Sequence, residues 1–438
     1  MTPAETAASK EAAKDIRLTP SALKDSPQRW RLMLLLVVAM MFCYAQRNAL
    51  GVASKSMSDD LGFNPAITGV LLSSFFWGYA FMLMPTGWMV DRFGVRRTYA
   101  IGFIFWSLMS VLMGLTNGLA TLILLRVLLG VGQAVAFPAS SRAVANWFQE
   151  SERGLVTGLY LAGVRYGGAL ISVFGGWFLT NYDWRWFFVV IGVVSLVWVA
   201  PWMGFLKKWE GKGTDPSQAA PERQGASFME SLALLKHRSV MGIFLGFFAY
   251  NYVWNVFQNW LPNYLETERK FTKIEMGVLN AMPLVAMSVI IVISGALSDW
   301  LIRRGYEEKK IRKIFIAIGM LICCLMVPAG FVEDRMTAVW LLTISLTGLG
   351  VASPNTWTLT QAVSSKKIVG TVSGIQNFGG NVGAILAPMV TGFIAHFTGS
   401  FAMALALCGV ILVAGVIVFW FVVEEKVELA GSGEEDRG

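Results

Sequence analysis

About a dozen stretches of this 438-residue chain are apolar long enough to cross a bilayer, among them the spans that contain Leu32–Cys43, Ile101–Leu115 and Ala404–Val423. About 20 such residues wound as helix cover the hydrocarbon core. In lipid every backbone N–H must find its acceptor inside its own segment, so the spans must be helices or a closed barrel, and runs of this length are helical. Only 15% of the residues are charged, against roughly 25% in a soluble domain. The expected fold class is therefore an all-α polytopic membrane protein.

The net charge of +8 does not point to nucleic acid, because the basic residues sit in short loops between apolar spans and not on one stripe or arm. They cluster in the N-terminal tail (Lys10, Lys14, Arg17, Lys24, Arg29) and at Arg92/Arg96/Arg97, Arg153, Lys207/Lys208, Arg303/Arg304, Lys309/Lys310 and Lys366/Lys367. These are alternate loops; the intervening ones are nearly bare apart from Arg269, Lys270 and Lys273. The positive-inside rule then places both termini in the cytoplasm and requires an even number of spans. The first 29 residues lack the apolar core of a signal peptide. No long external loop is expected, which favours a bacterial inner membrane.

The longest polar interruption runs from Lys207 to Arg238 and contains GKGTDPSQAAPERQGAS. It predicts a cytoplasmic tail over 1–29, a six-helix bundle over 30–208, a cytoplasmic linker over 209–238, a second six-helix bundle over 239–423 and a tail over 424–438. Internal repetition supports the halving. Gly87-Trp-Met-Val-Asp91-Arg92-Phe-Gly94-Val-Arg96-Arg97 follows the second span, and Gly295-Ala-Leu-Ser-Asp299-Trp-Leu-Ile-Arg303-Arg304 follows the eighth. The same offset carries Tyr44 onto Tyr252 and Arg47 onto Asn255. At nearly that spacing, the Gly158, Gly163, Arg165, Gly167 pattern recurs as Gly374, Gly379, Asn381, Gly383.

Asp91, with its duplicate Asp299, can accept charge-assisted hydrogen bonds from a helix N-terminus and from loop arginines, which predicts a gating latch with Arg92, Arg96, Arg97, Arg303 and Arg304. GWMVDRFGVRR resembles the loop signature of the major facilitator superfamily. Together with CYAQRNALGVAS, FFWGYAFMLMPTGW and LLRVLLGVGQAVAFPASSR, it is similar to that superfamily's anion:cation symporter family, which includes bacterial galactonate and other sugar-acid carriers, sialin and the vesicular glutamate carriers. The resemblance covers about residues 30 to 423. It implies twelve transmembrane helices in two pseudo-symmetric bundles and alternating-access transport of a small organic anion.

Ionisable residues at membrane depth are functional candidates by default. Arg47, Arg126 and Arg165 are such residues. Arg47 shares a helix face with Tyr44, and a guanidinium fork beside a phenol suits a carboxylate and hydroxyls. By resemblance, Tyr44, Arg47, Tyr79, Trp357 and Asn377 match substrate-lining positions. Tyr252, Asn255, Gln376 and Asn381 add polar groups in the second half. Arg165 has two open readings: a second cationic anchor for a dianion, or a structural arginine capping carbonyls. Arg126 and Gln133 are seven apart on one face of span four and are read together with Gln46; by resemblance, Gln46 and Gln133 stand where proton-coupled relatives hold an aspartate and a glutamate. An amide keeps hydrogen bonds but does not titrate near neutral pH, so the family's proton symport is in question here. Exchange or uniport of a dicarboxylate, sulfonate or organophosphate, with a counter-anion in place of protons, is the alternative.

The four cysteines lie in apolar segments, the two histidines lie at span ends, and no metal-ligand cluster or nucleotide-binding loop is present. No cofactor and no enzymatic activity are expected. The lipid bilayer and a small anion are the expected partners, and a monomer the expected state. A transporter-like anion sensor would need an output domain that neither short tail supplies.

Overall fold

The computed structural model describes residues 28–207, 234–365, 368–424 and Val427; nearly all of both predicted tails and most of the predicted linker lie outside them. Fifteen helices are described: α1 (Arg29–Leu61), α2 (Pro65–Phe93), α3 (Val95–Met113), α4 (Leu119–Gln133), α5 (Ala136–Trp147), α6 (Glu150–Asn181), α7 (Trp184–Leu196), α8 (Val199–Lys207), α9 (Arg238–Thr267), α10 (Lys273–Arg303), α11 (Glu308–Cys323), α12 (Met326–Phe331), α13 (Arg335–Val363), α14 (Val369–Thr398) and α15 (Ala402–Phe421). Three spans are broken pairs, α4/α5, α7/α8 and α11/α12. Eleven units are long and apolar enough to cross a membrane. The 19-residue α3, whose first turn carries Arg96 and Arg97, completes twelve.

The pairing pattern repeats between the halves. In the first, α1 packs on α6, α2 on α4 and α3 on α7; in the second, α9 packs on α14, α10 on α13 and α11 on α15. Two six-helix bundles result, and they meet along α6·α10, α2·α14 and α1·α9.

Chain punctuation follows local chemistry. Asn64 caps α2 by accepting from the Ile67 N–H at 2.9 Å, with Pro65 at the first helical position, where no N–H is needed. Thr272 and Glu275 form a capping box at the start of α10. Asp334 accepts from the Thr337 N–H at 2.6 Å, and this bonding holds its carboxyl below the usual carboxylate range. The break between α4 and α5 also has a cause. Pro138 has no N–H, so the Ala134 carbonyl four residues earlier loses its helical donor. Thr86 Oγ1 on α2 reaches that carbonyl at 3.2 Å while also lying 2.8 Å from the Met82 carbonyl. Buried polar backbone inside a bundle is thus met by a neighbouring helix, as membrane interiors demand.

The two ends of the molecule differ. We call the end with Arg29, Asp91, Asp299 and Phe421 basal, and the end with Leu61, Asn181, Thr267 and Lys273 distal. At the distal end the bundles touch backbone to backbone: a Cβ at Gly69 would lie 2.5 Å from the Pro388 carbonyl, and one at Gly176 only 2.4 Å from that of Lys273. Four side-chain hydrogen bonds also join the bundles in this half. They run from Ser73 to the Ile385 carbonyl (2.6 Å), Asn263 to Ser54 (3.2 Å), Asn280 to Ser172 (2.7 Å) and Lys273 to the Leu179 carbonyl (2.9 Å). Toward the basal end, Gly87, Gly158 and Gly374 face open space within 4 Å. The two bundles are therefore closed distally and parted basally.

The distal end is less bare of cations than the sequence pattern suggests. Lys55, Arg185 and Arg335 lie there too, and each is paired with a carboxylate: Asp59, Asp60 and Glu275 respectively. Local pairing cancels their charge, so these basic residues add little net positive charge to the distal end.

Because the distal seam depends on glycine, Gly176→Ala should force it open by overpacking. Gln258 lines a small hollow between α1 and α9 with Asn48 and Val52. In a Gln258→Cys reporter, Gly176→Ala should speed labelling by a membrane-impermeant maleimide from the distal side severalfold; an unchanged rate would mean that the seam is not held by this contact.

Candidate functional site

α1 carries Tyr44 and Arg47 one turn apart, and the guanidinium of Arg47 is held from several sides. Its Nε donates to Gln133 Oε1 at 3.2 Å and its Nη1 to the Tyr44 hydroxyl at 3.2 Å. The rings of Tyr44, Phe75 and Tyr79 lie 4.4, 4.5 and 4.6 Å from its central carbon. Nη2 has no hydrogen-bond partner among the described residues. A guanidinium is weakly hydrated and stacks on aromatic faces, which makes this cage favourable for Arg and poor for Lys.

Gln133 positions this group from the break in span four. Its Nε2 donates to the Cys43 carbonyl at 3.0 Å, which leaves Oε1 facing Arg47. Gln46 points elsewhere. Its Nε2 donates to Ser195 Oγ at 2.7 Å and approaches Ser107 Oγ at 3.4 Å, so it sits among α3 and α7 inside the first bundle. Arg126 is 1% exposed, with Nε and Nη1 unpartnered and its guanidinium 5.3 Å from the Phe75 ring. Phe75 thus has Arg47 and Arg126 as neighbours. The sequence reading missed it, although it lies four residues before Tyr79 and hence on the same face of α2.

Arg165 lies at the midpoint of α6, the helix that packs on both α1 and α10. Its guanidinium is 4.0 Å from the Trp254 ring on α9, with Tyr44 and Tyr250 as electrostatic neighbours. Among the described residues no carboxylate is within ion-pair distance of Arg47, Arg126 or Arg165. Trp254 and Tyr250 went unnoticed in the sequence, although the repeat offset carries Gln46 onto Trp254.

The second-bundle candidates divide. Trp357 is partly exposed and packs edge-on against Phe247 at 5.1 Å; Asn377 is exposed. The others are buried and mostly committed. Asn255 donates to the Asn251 carbonyl at 2.8 Å, Asn381 to the Asn377 carbonyl at 2.9 Å and Gln376 to the Thr356 carbonyl at 3.3 Å. Tyr252 is 3% exposed and packs beside Gly383.

At the basal end, Asp91 pairs with Arg142 of α5 at 3.5 Å and Asp299 with Arg312 of α11 at 2.7 Å. Arg312 is buried and also donates to Ser298 Oγ at 2.7 Å. These two arginines were not among the expected latch residues. Arg92 instead rests against Trp88 and Phe93, and Arg304 stacks on Trp300 at 3.8 Å.

Residues 36–388 match the family model described as Major Facilitator Superfamily. The chain belongs to that superfamily. It is 30% identical to the D-galactonate transporter of Escherichia coli O6:H1 over 91% of this chain and 96% of the relative. It is 28% identical to a probable galactarate/D-glucarate transporter of Bacillus subtilis over 94% and 95%. Among solved structures, a bacterial homologue of the human lysosomal transporter Spinster, inward-facing and unoccupied, superposes with a TM-score of 0.73 at 19% identity, covering 91% of this chain and 96% of that one. A D-xylose–proton symporter superposes with a TM-score of 0.72 at 15% identity, covering 91% and 98%. The superfamily member described here is a membrane transporter, and no enzyme is among these relatives.

Gln133→Leu removes both the acceptor of Arg47 Nε and the donor to the Cys43 carbonyl. Leaving such buried groups unpaired costs about 1–3 kcal/mol, so apparent substrate affinity should fall at least about fivefold at unchanged membrane level; transport kinetics that separate KM from kcat check this.

Proposed function

We propose that this carrier moves sugar-acid anions across a bacterial inner membrane by alternating access, with its termini in the cytoplasm, the basal opening facing the cytoplasm and Arg47 anchoring the carboxylate. The observation that carries this reading is charge: three guanidiniums stand at membrane depth in one bundle with no acidic partner among the described residues within ion-pair distance. Buried charge without a counter-charge costs several kcal/mol, and an anionic substrate supplies the missing sign. The named cargoes of the relatives, galactonate and galactarate or glucarate, are anions of this kind. Trp357 and Asn377, the two open second-bundle candidates, are placed to meet substrate hydroxyls, and the Asp91 and Asp299 pairs to steady the parted basal end. The division at the linker between residues 208 and 239 lets the two bundles rock as separate bodies.

Coupling follows from the two glutamines. Gln133 accepts from Arg47 as a carboxylate would, yet it neither neutralises that arginine nor releases a proton. The substrate's own charge then takes the place of a titrating side chain, and exchange is the favoured mode. In liposomes loaded with unlabelled galactonate or galactarate, the labelled anion should exchange, while an imposed proton gradient should drive little net accumulation. Arg47→Ala should abolish exchange at normal membrane level. Failure of every sugar acid to exchange would sink the substrate class; strong proton-driven accumulation would sink exchange and direct attention to Glu266, whose Oε1 is enclosed near the distal end of α9 without a protein donor.

A further inference from the structure

Arg165 differs from the two other deep arginines in what surrounds it. Arg47 and Arg126 have enclosed, unpartnered nitrogens; Arg165 has none. It makes no hydrogen bond or ion pair with a described residue, and it is only partly buried. Its donors therefore open to the space between the bundles, about 24 Å from either end of α6 at ~1.5 Å per residue. Its one specific contact is with the indole of Trp254, which belongs to the other bundle. Among the described residues, every other cation–π contact lies within a bundle. The pair sits where the closed distal seam ends and the parted basal half begins.

We propose that Arg165 and Trp254 form a clasp between the bundles that holds the empty carrier distally closed, and that the second carboxylate of a dianionic sugar acid releases it. The proposal rests on the sugar-acid reading above and goes beyond it by naming the dicarboxylates as the favoured class. A carboxylate brings full charge and two acceptors that match the guanidinium fork, whereas a ring face offers only its quadrupole. Substrate at this cation therefore displaces the indole. Tyr44 stands between the two anchors, bonded to Arg47 through its hydroxyl and neighbouring Arg165 electrostatically. A short diacid with one end on Arg47 can present its other end to Arg165. A monoacid occupies Arg47 and leaves the clasp shut.

The test uses the full-length carrier in liposomes with the Gln258→Cys reporter and impermeant maleimide on the distal side. Without ligand, Trp254→Leu should speed labelling about three- to tenfold, the range of a partly desolvated cation–π contact. Trp254→Phe, which keeps a ring face, should stay near the parent rate and controls for folding. In an Arg165→Gln background the Trp254→Leu effect should vanish, since the two residues act as one unit. Galactarate should speed labelling of the parent, galactonate much less, and Arg165→Gln should erase the difference. A Trp254→Leu effect that persists at full size in Arg165→Gln would overturn the clasp. Equal responses to galactarate and galactonate would overturn release by the second carboxylate. If no sugar acid alters labelling or exchanges, the substrate reading fails with its dianion extension, and the ligand-free cycle decides the clasp alone.

Discussion

Uncompensated positive charge at membrane depth is the constraint around which the first bundle is built. Arg47, Arg126 and Arg165 would each be costly in hydrocarbon, and among the described residues none has a carboxylate within ion-pair distance. The protein distributes the cost among softer partners. Arg47 takes a phenol, an amide and three ring faces; Arg126 lies by Phe75; Arg165 takes the indole of Trp254. These contacts hold the cations without neutralising them, so the electrostatic demand for an anion survives folding, and in the proposed function it is the basis of recognition.

The remaining architecture gives that charge a moving frame. Glycine crossings and hydrogen bonds close the distal half, and the basal half is parted. A contact sealed by backbone approach and hydrogen bonds, only one of them from a charged donor, Lys273, opens at less electrostatic cost than one built from ion pairs. The ion pairs of the distal end, such as Arg185 with Asp60, stay within one bundle and travel with it. The same holds basally for Asp91 with Arg142 and Asp299 with Arg312. Ion pairs stiffen each bundle, and contacts without a carboxylate, the Lys273 and Arg165 contacts among them, join the two.

Much of this was legible in the sequence because membrane helices are written in long apolar runs and the duplicated Asp91 and Asp299 loops mark the halves. Arg47 with Tyr44 was legible because both lie on one helix at a spacing that shares a face. What escaped was contact between helices. Nothing in the local sequence says that Trp254 meets Arg165 across the bundles, that Arg142 rather than Arg96 lies within reach of Asp91, or that Gln46 and Gln133 part company. The carboxylates that proton-coupled relatives hold at both positions suggested a shared role for the two glutamines; the helix rotation sends Gln46 to Ser195 and Gln133 to Arg47. The amides of Asn255 and Asn381 looked free in sequence because an asparagine's bond to the carbonyl four residues back leaves no trace there.

The central claim, that the arginine cluster selects its cargo by negative charge, is tested most directly by thermal unfolding of the purified carrier with matched ligands. Galactarate and galactonate should raise Tm, since a ligand present at 100 times its Kd adds about 2.7 kcal/mol. The uncharged polyol galactitol should not, and Arg47→Ala should lose the response. Equal stabilisation by galactitol, or an undiminished response in Arg47→Ala, would contradict the account.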